Sequence, residues 1–74
     1  MYKGFIYFSN DELELEDYEK TQISGVYIQT RNITEITQYI DSIFIQYAGY
    51  PNANGYYVKL PLKEVMARIE KANS

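Results

Sequence analysis

Residues 33–48 read ITEITQYIDSIFIQYA, and the interpretation of this stretch decides the fold. Ile33, Ile36, Ile40, Ile43, Phe44 and Tyr47 recur at the three- and four-residue spacing of one helical face. Asn32 supplies an N-cap residue, with Glu35 three positions on. Gly49 and Pro51 supply a stop. The spacing predicts an amphipathic helix over 33–48.

Outward from that stretch, most of the remaining signals are β. Residues 2–8 are rich in aromatic and β-branched side chains and are expected to form a strand. Ser9-Asn10-Asp11 is turn chemistry. The alternation ELELE at 12–16 favours a short strand with Leu13 and Leu15 on one face; a Ser9-x-x-Glu12 capping box is the helical rival. ISGVYIQT at 23–30 and YYVKL at 56–60 are expected strands, the latter entered through the turn residues Asn54-Gly55. Pro61 opens a second helix whose apolar stripe is Leu62, Val65, Met66 and Ile69. The order ββ(β)αβα predicts a single α+β domain over 1–74. It would be a two-layer sandwich, with both helices on one face of a three- to four-stranded, mainly antiparallel sheet.

Composition narrows the function. A 74-residue chain buries a small core, and small domains often add a disulfide, a metal or an oligomeric partner. There is no cysteine and no histidine, so disulfides and zinc clusters are out and the usual nucleophile–base pairs cannot be assembled. Isolated glycines build no phosphate loop, and the acidic run lacks calcium-loop spacing. A non-enzymatic protein without metal or cofactor is expected, with homo-oligomerisation open to it. No basic n-region precedes a long apolar run, and no stretch reaches membrane-spanning length. A soluble protein of the cytoplasm is the resulting expectation.

Two features point to binding. Alternation along the expected strands puts Ile6, Phe8, Val26, Ile28, Val58 and Leu60 on one face. Phe5, Tyr7, Tyr27 and Tyr57 fall on the other, among Lys3, Gln29 and Lys59. With nine tyrosines and three phenylalanines in the chain, that second face is an aromatic platform. The other feature is DELELEDYE at 11–19, with six carboxylates. As a strand it would set Glu12, Glu14 and Glu16 about 6.8 Å apart along one edge, a row that imitates phosphates.

Lys3-Gly4-Phe5 followed by Tyr7 is similar to part of the RNP1 motif of RRM domains, whose sheet aromatics stack bases. The similarity covers about six residues and breaks at Ile6, Phe8 and Asn10, so no binding residue is carried over from it.

Charge weighs against nucleic acid. The net charge is −3, and residues 1–20 hold six acids against two lysines, whereas nucleic-acid affinity rests on Lys and Arg. Protein interfaces favour central aromatics with charges at the rim. The residues therefore predict a small acidic protein-binding module that uses Phe5, Tyr7, Glu12, Glu14, Glu16, Asp17, Tyr27 and Tyr57. In general character, though in no motif, the chain resembles small phage-encoded inhibitors of host defence, such as anti-CRISPR and anti-restriction proteins. That resemblance implies a DNA mimic occupying the basic groove of a host protein. A single-stranded nucleic-acid binder using the aromatic face and a homo-oligomeric structural or regulatory subunit are the alternatives.

Overall fold

A computed structural model describes residues 3–49 and 54–74. The protein is a small α+β fold of two antiparallel sheets and one main helix. Strand β1 (Phe5–Ser9) pairs with β2 (Gly25–Gln29). A second sheet runs β3 (Ile33–Gln38), β4 (Ile43–Tyr47), β5 (Asn54–Val58). Between β1 and β2 lies a one-turn helix, α1 (Asp17–Lys20), and the chain closes with α2 (Leu62–Asn73).

The helix expected over 33–48 is not formed. Its residues make the β3–β4 hairpin, closed by the Tyr39 N–H donating to the Ser42 carbonyl at 2.9 Å. Seven of these residues are β-branched (Ile33, Thr34, Ile36, Thr37, Ile40, Ile43, Ile45), which disfavours helix and suits a pleated surface. Three side chains separate the two arrangements. A helix would bury Ile40 and Phe44 and leave Ile45 aside. Instead Ile45 is wholly buried, Ile40 is fully exposed at the hairpin tip, and Phe44 lies on the opposite face from Ile45. The two-helix sandwich is corrected accordingly.

The strand expected at 12–16 is also corrected. Asn10–Glu12 form a 3-10 turn instead, and its N-cap residue, Ser9, donates its N–H to the Glu12 carboxylate at 3.0 Å as in a capping box. Only Leu13 joins a sheet, through an isolated bridge to Val58. The Glu14 N–H donates to the Tyr57 carbonyl and the Lys59 N–H to the Glu12 carbonyl, which fixes that bridge on both sides. The strands at the start of the chain, at 23–30 and at 56–60 are present as β1, β2 and β5 with shifted ends. Tyr2, in the expected first strand, and Pro51, in the expected helix stop, lie outside the described residues.

The sheets are joined at both ends. The 3-10 turn Asn10–Glu12 carries β1 across to β5 through Leu13, and a second one, Thr30–Asn32, carries β2 directly into β3. The inner faces meet in one core of Ile6, Phe8, Ile28, Ile43, Ile45 and Val58, to which Leu13 and Val65 are added. Burial of such side chains is the main stabilising term. Helix α2 reaches this core through Val65, with Leu62, Ile69 and Ala72 half-buried beside it. Met66, expected in the stripe, is exposed. Among the described residues no helix is long and apolar enough to cross a membrane.

Candidate binding surfaces

The aromatic residues do not form one platform. Because there are two sheets, the outward positions divide between them. On the first sheet, cross-strand partners Tyr7 and Tyr27 place their ring centroids 4.8 Å apart, and both are exposed. Tyr57 belongs to the second sheet. There its ring lies 4.7 Å from that of its cross-strand partner Phe44 and 6.1 Å from that of Tyr39. A third pair, Tyr47 and Tyr56, stacks at 5.9 Å on the inner side of β4 and β5, and neither ring is exposed. Burial, with Tyr56 nearby, pushes the Tyr47 phenol above its ordinary range. That pair is core edge.

Two glycines let the outer rings lie flat on the sheets. A Cβ on Gly25 would come within 2.6 Å of the Tyr7 ring, and one on Gly55 within 2.8 Å of the Phe44 ring and the Ile45 carbonyl. Tyr7 and Phe44 thus cover bare backbone diagonally across each sheet. The Tyr7 hydroxyl, at 3.4 Å, donates to the Ser24 carbonyl next to that glycine.

The second-sheet cluster has an apolar centre with charge of both signs near it: Lys59 lines a pocket with Tyr39 and Ile40, and Glu14 lies beside Tyr57. Tyr39 and Tyr57 are 52% and 42% exposed, and Ile40 follows Tyr39 at the fully exposed hairpin tip. Glu14 is tied to the Tyr57 backbone by the 2.9 Å bond, and the exposed Glu16 and Asp17 follow it in the chain. The Glu16 N–H donates to the Glu19 carboxylate at 3.1 Å, starting α1.

Glu12 is engaged within the protein. Its two carboxylate oxygens receive Arg68 Nη1 at 2.9 Å and Nη2 at 2.6 Å. Arg68 Nη1 also donates to the Tyr7 carbonyl at 2.9 Å, its Nε donates to Glu64 at 3.2 Å, and the guanidinium lies 5.3 Å from the centre of the buried Phe8 ring. The Arg68 hydrogen bonds hold the Glu12 carboxyl down at about 2, against the opposing effect of burial. Glu12 in turn raises Arg68. The evenly spaced row of Glu12, Glu14 and Glu16 is therefore not formed: Glu12 is bonded to Arg68, and Glu14 and Glu16 are exposed.

Beside the Tyr7–Tyr27 pair, β1 and the end of α2 enclose a groove of about 520 Å³. Phe5, Tyr7 and Tyr27 line it together with Lys3, Arg68 and Lys71. Among the described residues no cluster of three Asp, Glu, His or Cys side chains is placed to hold a metal ion.

Sequence reasoning missed Tyr39, Phe44 and Lys71. The helical spacing over 33–48 hides Tyr39 and Phe44, and alternation within IFIQY is the signal that turns Phe44 outward. Nothing local in the sequence tells that Lys71 stands beside β1. No family model, curated protein or solved structure matches the chain.

Proposed function

We propose that the protein is a protein-binding module that docks through the outer face of its second sheet. Tyr39, Phe44 and Tyr57 are the buried centre of the interface, and Glu14, Glu16 and Asp17 are its acidic rim. The observation that carries this reading is the Tyr57 ring packed against both Phe44 and Tyr39 on an outward face, with Tyr39 and Tyr57 about half exposed. Tyrosine anchors ringed by charge are the usual composition of an interface hot spot, and a large outward apolar group is a docking signal on a small monomer. Ile40, fully exposed at the neighbouring hairpin tip, extends the apolar area. The carboxylates at its border select a partner with a basic surface, as an inhibitor of a nucleic-acid-binding host protein would.

The test is quantitative capture from the cell of origin with the wild-type protein, a Tyr39→Ala/Tyr57→Ala variant and a Glu14→Gln/Glu16→Gln/Asp17→Asn variant. Partners held by the wild type should be lost by the tyrosine variant. The amide variant should retain them more weakly, with a flatter dependence on salt. A partner set common to all three proteins overturns the reading.

A further inference from the structure

The groove on the first sheet has chemistry opposite to that of the docking face, and it carries an inference independent of it. We propose that this groove binds a nucleoside monophosphate, with the base against Tyr7 and Tyr27 and the phosphate between Lys3 and Lys71.

The two lysines are brought together by the backbone. The Gly4 N–H donates to the Ala72 carbonyl at 3.0 Å, which sets residue 3 alongside residue 71. The corner is braced again by Thr30. Its N–H and hydroxyl both donate to the Gly4 carbonyl, at 2.8 and 3.1 Å, and its Oγ1 lies 2.7 Å from Asn73 Oδ1. Gly4 holds φ +81°, a conformation that favours glycine, so the turn that delivers Lys3 to the groove is specified by sequence. Both lysines are exposed, and no ion pair forms on either among the described residues. Arg68 is the contrast: four of its five N–H donors are committed to Glu12, Glu64 and the Tyr7 carbonyl, and its charge is balanced by those two carboxylates, so it chiefly shapes the wall.

Size and charge favour a single nucleotide. A groove of about 520 Å³ lies within the range of small-ligand sites. Two ammonium groups balance one phosphate dianion, and the adjoining tyrosine rings offer a π surface to a base, whose stacking is tolerant of base identity. A long polyanion would fare worse. Among the described residues the groove lining contributes only Lys3, Lys71 and the largely committed Arg68 as cations, so the further phosphates of a strand find no lysine or arginine there to neutralise them.

The experiment is an amide-resolved NMR titration with adenosine 5′-monophosphate. Adenosine, inorganic phosphate and a thymidine oligonucleotide are titrated separately. Saturable shifts confined to residues 3–7, 27 and 71–72 are expected for the mononucleotide, with Kd near or below about 1 mM. Lys3→Glu/Lys71→Glu should weaken binding by at least about tenfold, while Lys63→Glu, exposed elsewhere on α2, should leave it unchanged. The absence of saturable shifts overturns the proposal. So do equal binding of adenosine or of phosphate alone, tighter binding of the oligonucleotide, and indifference to the double charge reversal.

Discussion

Arg68 grips the Glu12 carboxylate with both terminal nitrogens, at 2.9 and 2.6 Å, across 56 positions of sequence. The same guanidinium caps the Tyr7 carbonyl on the edge of β1 that β2 does not use. One side chain thus ties α2, β1 and the 3-10 turn together over the buried Phe8 ring. Two-pronged pairs of this kind are stronger than single surface contacts.

Loss of that pair should show in stability and in its pH dependence. Glu12→Gln is expected to cost about 1.5–3 kcal/mol at neutral pH by urea unfolding, as for a hydrogen bond to a charged group. In the folded protein the carboxyl titrates at about 2 against an ordinary 4.5. The unfolded chain therefore takes up its proton first as pH falls. The contribution is full above 4.5 and fades as pH drops toward 2, so wild type and Glu12→Gln should converge over that window. A constant difference across it would remove Glu12 from the account.

Substitutions in the hairpin separate strand from helix. Ile45→Ala, at a wholly buried inward position, should destabilise by about 2–5 kcal/mol. Ile40→Ser, at the exposed tip, should stay within about 0.5 kcal/mol. A helical face would reverse the order, because it contains Ile40 and omits Ile45. Thermal unfolding of the two variants decides it.

Gly4→Ala isolates backbone strain. No atom lies within 4 Å of where the new methyl would stand, so the whole penalty is the φ of +81°, about 1–2 kcal/mol. Gly25→Ala acts by another route. Its methyl displaces the Tyr7 ring, so the tyrosine aromatic signals should change in near-ultraviolet circular dichroism while those of Gly4→Ala stay native.

How much of this was legible in the sequence depended on how local the signal was. FIYFS and GVYIQ alternate cleanly, and both strands and their inward residues Ile6, Phe8 and Ile28 were readable. The stretch 33–48 misled for a geometric reason. A β-bulge at Thr34 pairs Ile33 with Tyr47 and Glu35 with Gln46, so Ile33 and Ile36 point inward although three apart. The hairpin loop then puts Ile36 and Ile43 seven apart on that same face. Bulge and loop together imitate a helical stripe, and only Ile40, Phe44 and Ile45 betray it. The site residues divide in the same way. Tyr7, Tyr27 and Tyr57 were found as outward aromatics, but that they occupy two sheets follows from topology. Glu12 was grouped with its neighbours in the run, because its partner Arg68 comes from the far end of the chain.

The central claim, docking through the face of Tyr39, Phe44 and Tyr57, is met most directly by affinity. For a partner captured by the wild-type protein, Kd is measured by calorimetry against wild type and the folded Tyr39→Ala/Tyr57→Ala variant. Hot-spot tyrosines predict a loss of at least about thirtyfold, with native thermal unfolding retained. An unchanged Kd, or a wild-type protein that captures nothing the variant does not, would contradict the account.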